Sequence, residues 1–172
     1  MKKIILLLLT ICSASQSFAQ EITGTQLLDK AIQFHDPNDN WKTFTGSLFV
    51  TMETPNKPKR TSEIRIDLPN QSFYVKASQG DKTTVYSVTK DVCNIQLNGK
   101  TPTEEEKTSN NLSCDRASMY QNYYTYLYGL PMKLKDAGTI IDENVILKEF
   151  NGKNYLVLKV TYDQEVGKDT WF

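Results

Sequence analysis

From Trp41 to Leu97, apolar and polar residues alternate in five short runs, a pattern that few folds can accommodate. Successive side chains of a strand point to opposite faces, so a period of two predicts strands with one buried face and one face in water. Turn-forming pairs separate the runs, among them Pro69-Asn70, Gly80-Asp81 and Asn98-Gly99. Five such runs predict an antiparallel meander. The apolar positions that define it are Leu48, Val50, Met52, Ile64, Ile66, Leu68, Phe73, Val75, Ala77, Val85, Tyr86, Val88, Cys93, Ile95 and Leu97.

Helical patterns precede this meander and follow it. Residues Thr25 to His35 carry apolar side chains at helical spacing and end before Asp36-Pro37, so we predict an N-terminal helix. The segment Thr103 to Glu106 has the sequence of a capping box and predicts a short polar helix. The segment Arg116 to Tyr128 contains neither Gly nor Pro and predicts a second helix in the same insertion.

Strands are predicted to resume after the helical insertion. Val145 to Phe150 is followed by the hairpin signal Asn151-Gly152 and by an alternating run from Leu156 to Tyr162. Thr170 to Phe172 looks like the opening of another strand, so we expect the sequence to be part of a longer protein. The predicted fold is α+β: a bent antiparallel sheet, or open half-barrel, with an N-terminal helix and a helical insertion, lacking its C-terminal strands.

The first residues have the organisation of a secretory signal peptide. Two lysines precede an apolar run from Ile4 to Cys12, and Ser17-Phe18-Ala19 places small residues at a cleavage site. We predict a signal peptide over residues 1–19, cleavage after Ala19 and a single exported domain over residues 20–172, in the periplasm or at the cell envelope. A lipoprotein with lipidated Cys12 is the alternative, although Ile11 is larger than lipidation signals prefer.

Charge and hydropathy narrow the range of partners. The 172 residues carry 20 basic and 20 acidic side chains, and this balance argues against a nucleic-acid-binding protein, which normally has a basic face. The apolar run of the signal is too short to span a bilayer, and no later stretch is long enough, so we expect no transmembrane segment in the mature chain.

Two cysteines, Cys93 and Cys114, remain after the signal is removed. An even number in an exported chain predicts a disulfide between them. The alternative is a pair of reduced, buried thiols.

Side chains suited to catalysis are few. His35 is the one histidine in the sequence and is expected to cap its helix. Because a zinc site of the HExxH type needs two histidines, such a site is impossible here. Glycine-rich phosphate loops, GxSxG and CxxC are all missing from the sequence. We therefore predict no catalytic residues, no metal ligands and no cofactor, and regard enzymatic activity as uncertain.

Two polar clusters have a simple structural interpretation beside a functional one. Asp36, Asn38 and Asn40 have the spacing that begins a calcium loop, but its later positions do not match, so a hydrogen-bonded turn is the preferred interpretation. Lys57, Lys59 and Arg60 form a basic cluster in a hairpin loop. A solvated turn is expected there, with contact to an acidic partner as the alternative.

The most unusual segment runs from Tyr120 to Tyr128 and holds five of the nine tyrosines. On a helix, these rings cover too much of the circumference for an ordinary surface helix. Tyrosine suits a wall that is apolar but touches water, so the segment either packs in the core or lines a hydrophobic groove. The groove hypothesis predicts these ligand-binding residues: Phe73, Val75, Tyr120, Tyr123, Tyr124 and Leu127.

Three stretches also carry a resemblance: His35-Asp36-Pro37 through Trp41, Cys114 through Pro131, and Leu156 through Trp171. Together they resemble an uncharacterised family of exported bacterial proteins. The order of elements also resembles the lipoprotein-carrier (LolA/LolB-like) superfamily. That resemblance implies a bent sheet closed by helices around an apolar cavity for acyl chains, and it transfers no individual residue.

These observations predict a non-enzymatic exported binding protein that holds a lipid, a lipidated peptide or another apolar ligand between sheet and helices. The alternative is a structural or protein-interaction module of the cell envelope. A hydrolase is the third and weakest hypothesis.

Overall fold

Residues 21–167 and 170–171 are described by the computed structural model of this chain. The signal peptide predicted over residues 1–19 lies outside the described residues. Contacts divide the described residues into two compact units, one formed by residues 28–139 and one by residues 21–27 together with the described residues from 140 onward. The α-helices are α1 (Gly24–His35), α2 (Glu104–Asn110) and α3 (Cys114–Tyr128), and short 3-10 helices cover Asn40–Thr43 and Met132–Lys135.

The alternating runs form a five-stranded antiparallel meander in the order β1-β2-β3-β4-β5. Its register brings residues of the same period together: Ile64 lies opposite both Leu48 and Val75, and Val75 lies opposite Tyr86. The predicted sheet is confirmed. The strands are β1 (Thr45–Met52), β2 (Arg60–Asp67), β3 (Ser72–Gln79), β4 (Lys82–Thr89) and β5 (Val92–Leu97).

One face of this sheet carries the core of residues 28–139. The side chains of Ile64, Phe73 and Val75 are at most 1% exposed, and the helical residues Ala117 and Tyr124 belong to the same buried cluster. Because α3 covers the apolar face of the sheet, the outward residues of each strand are left for solvent. The full buried cluster is Ile64, Ile66, Phe73, Val75, Tyr86, Val88, Leu112, Ala117 and Tyr124.

Local side-chain bonds fix the ends of the two insertion helices. Thr103 and Glu106 make the predicted capping box at the start of α2. Ser113 caps α3 by accepting a hydrogen bond from the backbone N–H of Arg116 at 3.1 Å. At the other end the N–H of Gly129 donates to the carbonyl of Thr125 at 3.0 Å. The helix therefore starts two residues before the predicted Arg116 and ends at Tyr128 as expected.

The second unit contains two further two-stranded sheets, β6 with β9 and β7 with β8. The hairpin signal Asn151-Gly152 joins β7 to β8 as predicted, and both residues have positive φ angles. These strands are β6 (Thr139–Ile141), β7 (Ile146–Phe150), β8 (Lys153–Val157) and β9 (Val160–Tyr162).

The single strand predicted from Leu156 to Tyr162 is wrong. The chain leaves the strand at Leu158 and Lys159, because β8 pairs with β7 whereas β9 pairs with β6. Trp171 makes one isolated bridge to Val160, so the strand expected at residues 170–172 is present only as this bridge within the described residues.

The α+β class, the N-terminal helix and the helical insertion are as predicted. Within residues 21–167 and 170–171, none of the sheets closes into a barrel. No helix in this part of the chain is both long enough and apolar enough to cross a bilayer.

Candidate functional site

An open groove runs between α3 and the first two strands of the sheet, and we call it the tyrosine groove. Its volume is about 410 Å³, within the range of small-molecule sites. Its walls come from α3 on one side and from β1 and β2 on the other. It is lined by Val50, Thr51, Met52, Arg60, Ser62, Met119, Tyr120, Tyr123, Tyr124, Leu127 and Tyr128.

Helical spacing builds the aromatic wall of the groove. Tyr120, Tyr124 and Tyr128 recur every four residues, so their rings lie above one another on the same face of α3. The ring centres of Tyr120 and Tyr124 are 6.3 Å apart, and those of Tyr124 and Tyr128 are also 6.3 Å apart. Tyr123 meets Tyr124 edge to face at 5.2 Å. These contacts hold the wall in a defined shape.

The base of the wall is anchored in the core. Tyr124 stacks on Phe73 with ring centres 6.3 Å apart and is 6% exposed. Burial raises the pKa of its hydroxyl, and the nearby charge of Arg60 and a hydrogen bond with Ser62 oppose that rise. The hydroxyl is therefore neutral at ordinary pH, where it serves as an uncharged polar spot in an aromatic wall.

The rim of the groove is apolar and faces water. Among the lining residues of α3, Met119 is 50% exposed, Tyr123 57%, Leu127 45% and Tyr128 38%. Met52 on β1 adds another exposed apolar side chain across the gap. Contiguous apolar side chains of this kind mark surfaces that are covered by a ligand or a partner.

Of the six residues predicted to bind a ligand, four line the tyrosine groove: Tyr120, Tyr123, Tyr124 and Leu127. Phe73 and Val75 are not among its lining residues. Both are 1% exposed and lie in the core beneath α3, because their strand β3 is central in the sheet.

The sequence prediction missed the strand side of the groove and two residues of the helix, Met119 and Tyr128. Tyr128 could have been found from its four-residue spacing to Tyr124. Val50 and Met52 read as ordinary strand residues, and only the packing of β1 beside α3 makes them groove residues. No local sequence pattern at Val50 or Met52 indicates that these residues line a groove.

The disulfide between Cys93 and Cys114 is confirmed, with Cα atoms 5.9 Å apart. It joins β5 to the first residue of α3 and so fixes the helix that carries the aromatic wall.

The basic cluster of the β1–β2 hairpin is only partly the solvated turn that was predicted. Lys57 and Lys59 are exposed, but Arg60 begins β2 and is half-buried. Its guanidinium carbon lies 5.4 Å from the ring centre of Tyr120. This arginine belongs to the groove because its side chain points to the same sheet face as Ile64.

Asp36 forms the hydrogen-bonded turn that its sequence favours. Its two carboxylate oxygens accept the backbone N–H groups of Asn40 at 2.7 Å and Trp41 at 2.8 Å. Across the part of the chain that the structure describes, no three His, Cys, Asp or Glu side chains cluster as metal ligands would.

Comparison with protein families places the chain in one of them. The model of the family of unknown function DUF6503 matches residues 2–172. The chain belongs to that family. No curated protein and no solved structure matches the chain. Because the DUF6503 match covers nearly every residue, both compact units and the tyrosine groove fall within the family's extent.

Proposed function

We propose that this DUF6503 protein is an exported binding protein that holds a lipid or another apolar ligand in the tyrosine groove. The observation that carries the proposal is the groove itself, an apolar gap of about 410 Å³ whose rim exposes Met119, Tyr123 and Leu127 to water. Covering apolar surface releases about 25 cal/mol per Å², so a ligand that fills this gap is stabilised without any catalytic group.

The architecture supports the same proposal. A sheet with one apolar face covered by helices is the arrangement that the lipoprotein-carrier resemblance implies. Here the core beneath α3 is filled by Phe73 and Val75, so the ligand would lie at the side of the helix rather than under it. The proposal therefore places the ligand in an open groove and not in a closed cavity.

Two features support export. The first residues have a basic start, an apolar run and the Ser17-Phe18-Ala19 cleavage site. The disulfide between Cys93 and Cys114 is of the kind that persists in oxidising compartments. We propose that the mature chain begins at Gln20, in the periplasm or at the cell envelope.

The test of ligand binding uses the mature chain, purified without detergent, and the neutral dye N-phenylnaphthylamine, whose fluorescence rises in apolar surroundings. Leu127→Ser should weaken binding by about five-fold, because it removes part of the apolar wall. Val92→Ser is the matched control, since Val92 is also an exposed apolar residue, 63% against 45% for Leu127, but lies outside the groove. Saturable binding that is lowered only by Leu127→Ser supports the proposal, and the absence of saturable binding refutes it.

A second candidate function, a protein-interaction module, is favoured by the β7–β8 hairpin. Leu147 pairs with Leu156 on one face, and Ile146 pairs with Val157 on the other. Among the described strands, neither β7 nor β8 pairs with a third. Two-stranded ribbons are marginal in water, so apolar side chains on both faces suit a segment that is covered by a partner.

Photo-crosslinking in cells tests this second function. A crosslinking amino acid at Leu147 should give one adduct of defined mass, whereas the same group at the exposed Phe49 of β1 should not. Equal labelling at the two positions would refute a specific partner for the hairpin.

A further inference from the structure

The inward face of the main sheet changes character along its strands. Near one end it carries Ile66 and Phe73, which lie opposite each other and are buried. Towards the other end, the register places Arg60 opposite Gln79 and Gln79 opposite Lys82. Since side chains alternate between faces, these polar residues point to the same side as the core. Charged side chains on the face of a sheet that carries the core are unusual. Arg60 is half-buried there, whereas Gln79 and Lys82 are exposed to water.

This row of polar residues opens into a second cavity, which we call the basic pocket, with a volume of about 190 Å³. Its charged lining residues are Arg60, Lys82 and Arg116, and no carboxylate lines it. The complete lining is Arg60, Ala77, Gln79, Lys82, Thr84, Tyr86, Asn110, Leu112, Arg116 and Tyr120.

The cations of the basic pocket have no anionic partner in the described part of the chain. None of the three takes part in an ion pair there. Atom Nη2 of Arg60 is buried and has no hydrogen-bond partner among these residues. A buried donor left without a partner is costly, and like charges in one cavity repel each other. An anionic oxygen in the pocket would relieve both effects.

The basic pocket and the tyrosine groove share two lining residues, Arg60 and Tyr120. The guanidinium carbons of Arg60 and Arg116 lie 5.4 Å and 5.7 Å from the centre of the Tyr120 ring. The ring of Tyr120 thus lies between the apolar tyrosine groove and the basic pocket, and the guanidinium groups of Arg60 and Arg116 both lie against this ring. A ligand that spans the two cavities must be apolar along its length and anionic at one end.

The volumes of the two cavities further restrict which ligands could fit. If a methylene group takes about the volume of a water molecule in liquid, ~30 Å³, the groove accommodates on the order of a dozen methylenes. That is one alkyl chain and not two. The smaller basic pocket suits a compact head group, and the planar fork of arginine matches a carboxylate.

We propose that the basic pocket binds the carboxylate of a long-chain fatty acid whose alkyl chain lies in the tyrosine groove. This inference rests on the proposed function, because it needs the groove to hold an apolar chain. The inference adds that the protein prefers ligands with a negatively charged end, a preference that the tyrosine groove alone would not produce.

The experiment compares a long-chain fatty acid with the fatty alcohol of the same length, each competing with N-phenylnaphthylamine for the mature protein. The wild type should prefer the acid at least ten-fold, and added salt should shrink the preference. Arg116→Gln should bring the preference close to one, because it weakens binding of the acid more than binding of the alcohol. Arg65→Gln is the matched control, because Arg65 lies on the outward face of β2 over Tyr74.

A second variant protects the test against misfolding. Lys82 is exposed at the start of β4, so Lys82→Gln should fold normally and lower the preference for the acid by about three-fold. Equal binding of acid and alcohol by the wild type would overturn the inference and leave the proposed function standing. A preference for the acid that survives both Arg116→Gln and Lys82→Gln would also overturn it. If the dye itself does not bind, the proposed function fails and the inference fails with it.

Discussion

Cys93 on β5 is bonded to Cys114, the first residue of α3, so the helix that bears the aromatic wall is covalently attached to the edge of the sheet. The bond spans 21 positions of the sequence and encloses the whole of α2. A crosslink of this length restricts the unfolded chain more than the folded one.

Removal of the disulfide should therefore lower stability. We expect the double variant Cys93→Ala, Cys114→Ala to lose about 3 kcal/mol in the free energy of unfolding, measured by urea denaturation. Reductant should lower the urea midpoint of the wild type and leave that of the double variant unchanged. An unchanged wild-type midpoint under reducing conditions would contradict the stabilising role.

Adjacent tyrosines of α3 should respond very differently to truncation. Tyr124 is buried against Phe73, so Tyr124→Ala should cost about 3–5 kcal/mol through loss of packing. Tyr123 is mostly exposed, and Tyr123→Ala should cost less than about 1 kcal/mol. Thermal or urea unfolding of both variants checks this. Similar losses would mean that α3 does not pack on the sheet through Tyr124.

Stability should fall in strongly alkaline solution. Burial raises the pKa of Tyr86 and of Tyr124 above the ordinary value of 10.0, and the charges of Arg116 and Arg60 oppose the rise. Above that value the unfolded chain loses these protons before the folded protein does, so the free energy of unfolding falls with rising pH. Below it, the contribution is fully present.

Urea midpoints at about pH 9 and about pH 11 test this expectation, since the two values bracket the tyrosine range. The double variant Tyr86→Phe, Tyr124→Phe keeps both rings and should lose less stability over the interval than the wild type. An identical loss in both proteins would assign the alkaline effect to other groups.

Gly129 should tolerate no side chain, because it ends α3 at a crowded point. A Cβ atom there would lie 2.4 Å from Cζ2 of Trp41 and 2.6 Å from the carbonyl oxygen of Thr125. Gly129→Ala should cost about 1–3 kcal/mol through overpacking. Gly167→Ala is the control, since its Cβ would meet nothing closer than 3.8 Å. A neutral Gly129→Ala variant would show that the end of α3 can shift freely.

The meander was predictable because its information is local. Alternation defines each strand, and Asn98-Gly99 marks a turn through residues that accept positive φ angles. The capping box at Thr103 is equally local, and so is the four-residue recurrence of tyrosine that ends at Tyr128. For these elements, the residues adjacent in sequence determine the local structure, and the structure matches the prediction.

Long-range pairing explains the failures. Alternation continues through Leu158 and Lys159, but the chain changes its partner strand there, and no local signal records the change. The sequence pattern places Arg60 in a solvated hairpin with Lys57 and Lys59, yet in the structure its side chain lies against the ring of Tyr120. The groove is formed by segments about seventy residues apart, so only half of it was visible in the tyrosine pattern.

The bond between Cys114 and Cys93 holds the N-terminal end of α3 at the edge of the sheet, so any tilt of the helix pivots about that end. Its far end, at Tyr128, is held by non-covalent contacts, among them the stacking of Tyr128 on Tyr124 and the packing of Trp41 beside Gly129. A small tilt about the sulfur bridge would widen the gap beside Met52 and leave every strand-to-strand bond of the sheet intact. Backbone amides of α3 should then exchange with deuterium increasingly fast from Ala117 towards Tyr128, and reduction of the bridge should flatten that gradient.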